Sequence, residues 1–170
     1  MISKEGREMY SVSFTGHRPE KLPYFSEDDP MCIDLKQRLK TQIEMLINEG
    51  ADSFFSGMAR GVDLWCAEII IELKCKFPEL KLTAVIPCKT QTNNWDDQSI
   101  IRYNNILEHC DKKIYISDNY NKSCMLKRDR AIVELCDVLI AVFDGAKGGT
   151  EYTVKYAEKK RKKVIIIPPM

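Results

Sequence analysis

Residues 56–63 read SGMARGVD and run directly into the apolar stretch LWCAEIII. Two glycines flank an arginine, and an aspartate follows where a helix would open. Gly57 and Gly61 accept positive φ and allow close approach to the main chain. A first helical turn has N–H groups without intrahelical partners and the positive end of the helix dipole, which suits phosphate. Arg60 adds a guanidinium that can hold phosphate oxygens in bidentate fashion. Asp63 stands inside that first turn, where its carboxylate can satisfy the same N–H groups or accept from ribose hydroxyls. Ser56 and Met58 complete the loop. The competing reading is a plain strand-to-helix turn.

The segment DGAKGGTE (144–151) repeats the design. Asp144 opens it, and Gly148 and Gly149 precede Thr150, whose hydroxyl can cap a helix or meet a phosphate. Lys147 supplies charge, and Glu151 is either a capping carboxylate or an acid–base group. TGHRP (15–19) offers Thr15, Gly16, His17 and Arg18. His17 as a proton-transfer residue has no Ser, Cys or Asp partner identifiable by spacing, so positioning, anion binding and structural packing compete for it. Glu151, Asp63 and His17 are the weak catalytic candidates, and they form no recognisable pair. PCKTQTNNW (87–95), starting at Pro87, and SDNYNKS (117–123) are two further loops. Trp95 and Tyr103 suit either base stacking or core packing. The KRDR run (127–130) reads as a solvated helix face; the alternative puts Arg128 and Arg130 on a ligand.

These loops need elements to position them. YSVSF (10–14), DSFFS (52–56), LTAVIP (82–87), KIYIS (113–117), DVLIAVFDG (137–145) and the closing KVIIIPP read as six strands. Between them lie helical patterns. Ile33, Leu35, Leu39, Ile43, Leu46 and Ile47 recur at three- and four-residue steps before Gly50, and Val62, Trp65, Cys66, Ile69, Leu73 and Phe77 do so before Pro78. Residues 100–110, 125–136 and 150–163 complete the set. Strict alternation with largely apolar strands predicts a Rossmann-like, doubly wound three-layer α/β/α fold with a mainly parallel sheet. In that architecture ligands bind beyond the carboxyl ends of the strands, which is where all these loops fall.

The 170 residues suit a single domain, 1–170 with its core at about 10–168; 44% are apolar and 30% charged. A net charge of +1 argues against nucleic acid as a partner. The charged start MISKEGREMY lacks a signal's apolar run, and no apolar run suits a bilayer. Seven cysteines, an odd number without a CxxC pair, read as reduced thiols of a cytoplasmic protein. With only His17 and His109 to join them, no metal site is expected. Neither G-x-G-x-x-G nor G-x-x-x-x-G-K-[ST] occurs.

TGHRP, SGMARGVDLWCAE, the IP…W…Y…IL spacing and RDRAIVELCDVLIAVFDGAKGGTEYTVKYA together resemble the YpsA-like family of the SLOG superfamily. Its relatives are the LOG phosphoribohydrolases and the DNA-processing protein DprA. The resemblance spans nearly the whole chain and implies a nucleotide or nucleotide-derived ligand, of the NAD or ADP-ribose kind, rather than an established cofactor. Carried over by position, Gly16 and Arg18 belong to the first loop of the groove and Gly57, Arg60, Gly61 and Asp63 to the second. Asp144, Gly148, Gly149 and Thr150 form the last. The loop DGAKGGTEYTVKY departs from the LOG motif PGGxGTxxE: the leading proline is missing and Glu151 directly follows Thr150. The expectation is therefore a non-catalytic nucleotide-binding module acting as a sensor or regulator. LOG-type N-glycosidic hydrolysis and DprA-like single-strand binding are the alternatives. A homodimer and a protein partner stay open.

Overall fold

Helix start and stop signals are local, and the chain obeys them where they are strong. The computed structural model describes residues 9–170, so the charged start of the chain lies outside it apart from Met9 and Tyr10. After strand β1 (Tyr10–Gly16) and a short 3-10 turn (Pro19–Lys21), helix α1 covers Pro30–Glu49. Asp29 accepts a hydrogen bond from the Met31 N–H, Pro30 stands at the first helical position, and Gly50 ends the helix at φ 119°. Its buried stripe is Cys32, Leu35, Leu39, Ile43, Leu46 and Ile47. Ile33, counted with that stripe from its spacing, is 56% exposed, and Cys32 takes the inward position instead.

Strand β2 (Ala51–Ser56) leads into α2 (Val62–Leu73), followed by β3 (Lys81–Cys88), α3 (Asp97–His109) and β4 (Lys112–Ser117). Then come α4 (Cys124–Leu135), β5 (Val138–Val142), α5 (Gly149–Lys159) and β6 (Lys163–Ile167). Helix α2 stops at Leu73, short of the Phe77 expected on its apolar face. Phe77 instead closes the turn, its N–H donating to the Leu73 carbonyl at 2.8 Å, and packs against the core.

The six strands pair in the order β4-β3-β2-β1-β5-β6, and every pairing is parallel. Right-handed crossovers from β1 through β4 run in one direction along the sheet, and those into β5 and β6 run in the other. Helices α1, α2 and α3 therefore cover one face, and α4 and α5 the other. Strand alternation sorts the core accordingly. Val12, Phe14, Phe54 and Ile140 join the α1–α2 side, whereas Leu139 and Val85 pack with Ile132, Val133 and Cys136 of the α4 region. Ser13, between Val12 and Phe14, turns to α4 and donates to the Ile132 carbonyl at 2.8 Å.

The cysteines are all unpaired, five of them buried, with Cys75 exposed and Cys110 between. Among the described residues no helix is long and apolar enough to cross a membrane. No group of three or more His, Cys, Asp or Glu side chains is placed to hold a metal ion there either.

Two of the glycines noted in the sequence turn out to be packing devices. A Cβ on Gly16 would sit 2.6 Å from Val62 Cβ, and one on Gly61 would meet Pro19 Cδ at 3.0 Å and the His17 carbonyl at 3.1 Å. The loops after β1 and β2 thus interlock backbone to side chain. Gly16→Ala is expected to destabilise the fold by about 1–3 kcal/mol in urea denaturation, as overpacking does. Gly149→Ala, where a Cβ meets nothing within 4 Å, should be neutral or stabilising by up to about 1 kcal/mol.

Candidate functional site

The strand order reverses direction at β1 and β5, so the loops that follow them diverge and leave a crevice at the carboxyl edge of the sheet. A cavity of about 450 Å³ occupies it. Thr15, Gly16, His17 and Arg18 line one side, Gly149 and Thr150 the other, and Asp63 and Arg128 the floor. Lys21, from the 3-10 turn, joins them. A second cavity of about 390 Å³ adjoins it over the β3 end. Arg18, Ala59 and Met125 line both, so the two form one groove.

Arg18 holds the junction. Its side chain makes no hydrogen bond or ion pair with any described residue, in contrast to Arg60, which pairs with Glu20. Lys21 brings a second cation: its Nζ would lie 3.0 Å from a Cβ on Gly148, at the start of α5. Helices α1 and α3 are capped by aspartate side chains. Helices α2, α4 and α5 open on Gly61, Ser123 and Gly148 without any side-chain cap. The uncapped helices are those whose first residues adjoin the groove, so their amide dipoles point toward it.

The loop SGMARGVD is built differently from its sequence reading. Gly57 does not carry the positive φ; the residues that do are Met58 (φ 60°) and Gly61 (φ 86°). Gly57 is a glycine for space: a Cβ there would meet Ile132 Cδ1 at 2.8 Å and both Arg128 Cδ and Asp63 Oδ2 at 2.9 Å. Met58 is fully buried, and that burial holds its unfavourable backbone, which costs on the order of 1–3 kcal/mol. The Met58 N–H donates to Ser56 Oγ at 3.2 Å, and Ser56 Oγ donates to the Asp63 carbonyl at 2.9 Å. The Ala59 N–H donates to Asp63 Oδ2 at 3.2 Å. The protein's own groups therefore occupy two amides of this loop, those of Met58 and Ala59. Ser56, Gly57 and Met58 lie behind the groove wall and Gly61 in the interlock with the β1 loop, while Arg60 lines the second cavity.

Asp63 is 7% exposed. Burial pushes its pKa up to about 6, opposed by the charge of Arg128 and the Ala59 N–H. Arg128 itself is 6% exposed. It donates to the Gly57 carbonyl and to Asp129 Oδ1 at 2.8 Å. The KRDR run is thus not a wholly solvated face: Arg128 is the buried arginine of the site. Arg130 stays on the surface side, its Nε donating to the Tyr152 hydroxyl at 2.6 Å.

His17 finds the partner that spacing could not reveal. Its Nε2 lies 3.0 Å from Asp144 Oδ1, which ties the β1 and β5 loops across the crevice. Asp144 also accepts the Ala146 N–H at 3.0 Å. That bond and His17 hold its carboxyl below the ordinary aspartate range. Glu151 does not line the groove; it accepts from Lys155 at 2.5 Å, one helical turn along α5, and Lys155 keeps its pKa low. Pro87 is buried within β3. Gly148 turns the chain into α5 at φ 147°.

Sequence reasoning left out Lys21 and the inward side chains of the β3–α3 loop. Thr90, Gln91, Asn93 and Asn94 line the second cavity with Trp95 and Tyr120. The density of amides in KTQTNNW was the available signal. Trp95 stands edge-on to the buried Tyr103, centroids 5.5 Å apart at 86°. Tyr103 thus goes to the core and Trp95 to the cavity wall.

Known proteins resemble this chain in sequence or in fold. A UPF0398 protein of Bacillus cereus (strain G9842) is 30% identical over 155 residues, covering 89% of this chain and 84% of its own. One from Bacillus pumilus (strain SAFR-032) is 29% identical over 153 residues, covering 88% and 82%. Among solved structures, DNA processing protein A of Helicobacter pylori, described for its single-stranded DNA binding mode, superposes with a TM-score of 0.65 at 21% identity. DprA of Streptococcus pneumoniae does so at 0.65 and 19%. This chain is covered to 94% in both, but spans 65% of the first and 50% of the second. The exclusion of nucleic acid drawn from net charge does not hold. A fold shared with a protein that binds single-stranded DNA removes its basis, because a whole-chain sum of +1 says nothing of how charge is placed at one groove. The model of the YspA SLOG family matches residues 12–167, and the chain belongs to that family.

Proposed function

We propose that the groove binds a nucleotide or nucleotide-derived ligand through its phosphate. The observation that carries this reading is Arg18, set where the two cavities meet: its charge is felt by Glu20 and Asp63, but no hydrogen bond or ion pair to a described residue ties up its guanidinium. Lys21 and the uncapped start of α5 approach the same place, and a helix start with unpaired amides favours an anion. Cavities of this size are of the kind that hold small ligands. The α5 start suits the anion better than the Met58 and Ala59 amides of the β2 loop, which the protein's own groups occupy.

A second reading is a single strand of nucleic acid laid along the groove. It is favoured by the junction of two cavities into one track and by the single-stranded DNA binding of the Helicobacter pylori DprA that shares the fold. A strand would show itself by affinity for a labelled oligonucleotide that drops between about 50 and 200 mM salt. No binding at the lower salt removes this second reading.

Arg18→Ala is expected to weaken NAD, ADP-ribose or AMP binding by about tenfold or more, the worth of a hydrogen bond to a charged group. Calorimetry measures it, with an unchanged melting temperature as the control. Unaltered affinity, or no binding of any of the three to the parent protein, would defeat the nucleotide reading. Asp63 gives a pH signature. Its folded pKa of about 6 lies above the ordinary aspartate value of 3.8, so the folded state holds the extra proton between those limits. The resulting destabilisation is absent below about pH 4, grows through pH 4–6 and is complete above. Asp63→Asn should therefore gain on the parent by up to about 3 kcal/mol between pH 4 and pH 7, at about 1.4 kcal/mol per unit. Denaturation curves at the two pH values check the sign.

A further inference from the structure

The cavity over the β3–α3 loop has a chemistry unlike its neighbour's. No carboxylate lines it; its walls are Trp95, Tyr120 and Arg60 with the amides of Gln91, Asn93 and Asn94. The Gln91 side chain donates through Nε2 to the Gly57 carbonyl at 3.3 Å. That bond fixes which end of the amide is which and leaves Oε1 as an acceptor. Oε1 is the buried side-chain polar atom without a hydrogen-bond partner among the described residues. An unmet buried acceptor costs about 1–3 kcal/mol, and such a group calls for a reason. Asn93 and Asn94 are exposed beside it. Trp95 is braced by Tyr103 with the Arg60 guanidinium 5.9 Å from its ring centroid. Tyr120 is 65% exposed and comes from the β4–α4 loop.

π faces, a guanidinium plane and edge amides, without acidic groups, are the means by which proteins take up an unstacked base. We infer that this cavity is a nucleobase subsite and that Gln91, by turning its enclosed carbonyl toward the cavity, selects bases bearing an amino group on their edge, which supplies the N–H that carbonyl lacks. The inference rests on the nucleotide reading above: with the phosphate at Arg18, the base lies toward β3. Trp95, Tyr120 and Arg60 provide stacking surface that any base can use. Gln91 provides the discrimination.

The test compares AMP, purine riboside 5′-monophosphate, which lacks only the amino group, and ribose 5-phosphate, which lacks the base, all by calorimetry on the intact protein. AMP is expected to bind at least tenfold tighter than ribose 5-phosphate and about fivefold tighter than the purine analogue. Tyr120→Ala, at an exposed position, should narrow the first gap. Gln91→Met should close the second while leaving ribose 5-phosphate unaffected. Equal binding of AMP and ribose 5-phosphate overturns the base subsite and leaves the phosphate site standing. Equal binding of AMP and the purine analogue overturns the role of Gln91. Failure of all three to bind removes the nucleotide reading itself, and the inference with it.

Discussion

A buried guanidinium must have acceptors for its donors, and much of the site follows from how Arg128 obtains them. It reaches the Gly57 carbonyl and the Asp129 carboxylate and lies in the field of Asp63. Removing one partner of such a set leaves an uncompensated charge, which costs several kcal/mol. The arrangement requires a residue without a side chain at 57, since any Cβ would press on Arg128 Cδ and Asp63 Oδ2 together. It also requires the chain to turn sharply at Met58, in a backbone region that non-glycine residues avoid. Asp63, whose charge acts on the guanidinium without an ion pair, bonds the Ala59 amide. One charged contact between α4 and the β2 loop thereby fixes the floor of the groove.

The order of strands and helices was legible because it depends on local periodicity, and the crevice position followed from the alternation alone. The reasons for particular glycines were not. Gly16, Gly57 and Gly61 look like residues that bare the main chain, yet each answers to a neighbour distant in sequence: Val62, Arg128 and the His17–Pro19 segment respectively. The same holds for His17. Its partner Asp144 is 127 positions away, and only the sheet order brings β1 beside β5. Ile33 and Phe77 show the opposite limit, where helical spacing assigned a face that helix rotation or an early stop withdrew.

Charge tells a related story. The chain is almost neutral overall, but its ionic groups are distributed unevenly. Glu27, Lys36, Glu68 and Arg102 neutralise one another in a network over α1, α2 and α3, and that network holds Glu27 down at about 2. Lys40 with Glu72 and Lys74 with Asp111 do the same. Arg18 has no such counterpart among the described residues. A cation spared from pairing creates local potential that whole-chain arithmetic does not register.

The interlock of Gly16 on Val62 and of Gly61 on Pro19 has a mechanical consequence. Neither position has room for a side chain, so the first two loops at the carboxyl edge are fitted closely against each other. The outer segments are stitched to that pair of loops by side-chain bonds, 89–95 through Gln91 to the Gly57 carbonyl and 144–148 through Asp144 to His17, so an incoming molecule meets a rim already fastened to its centre.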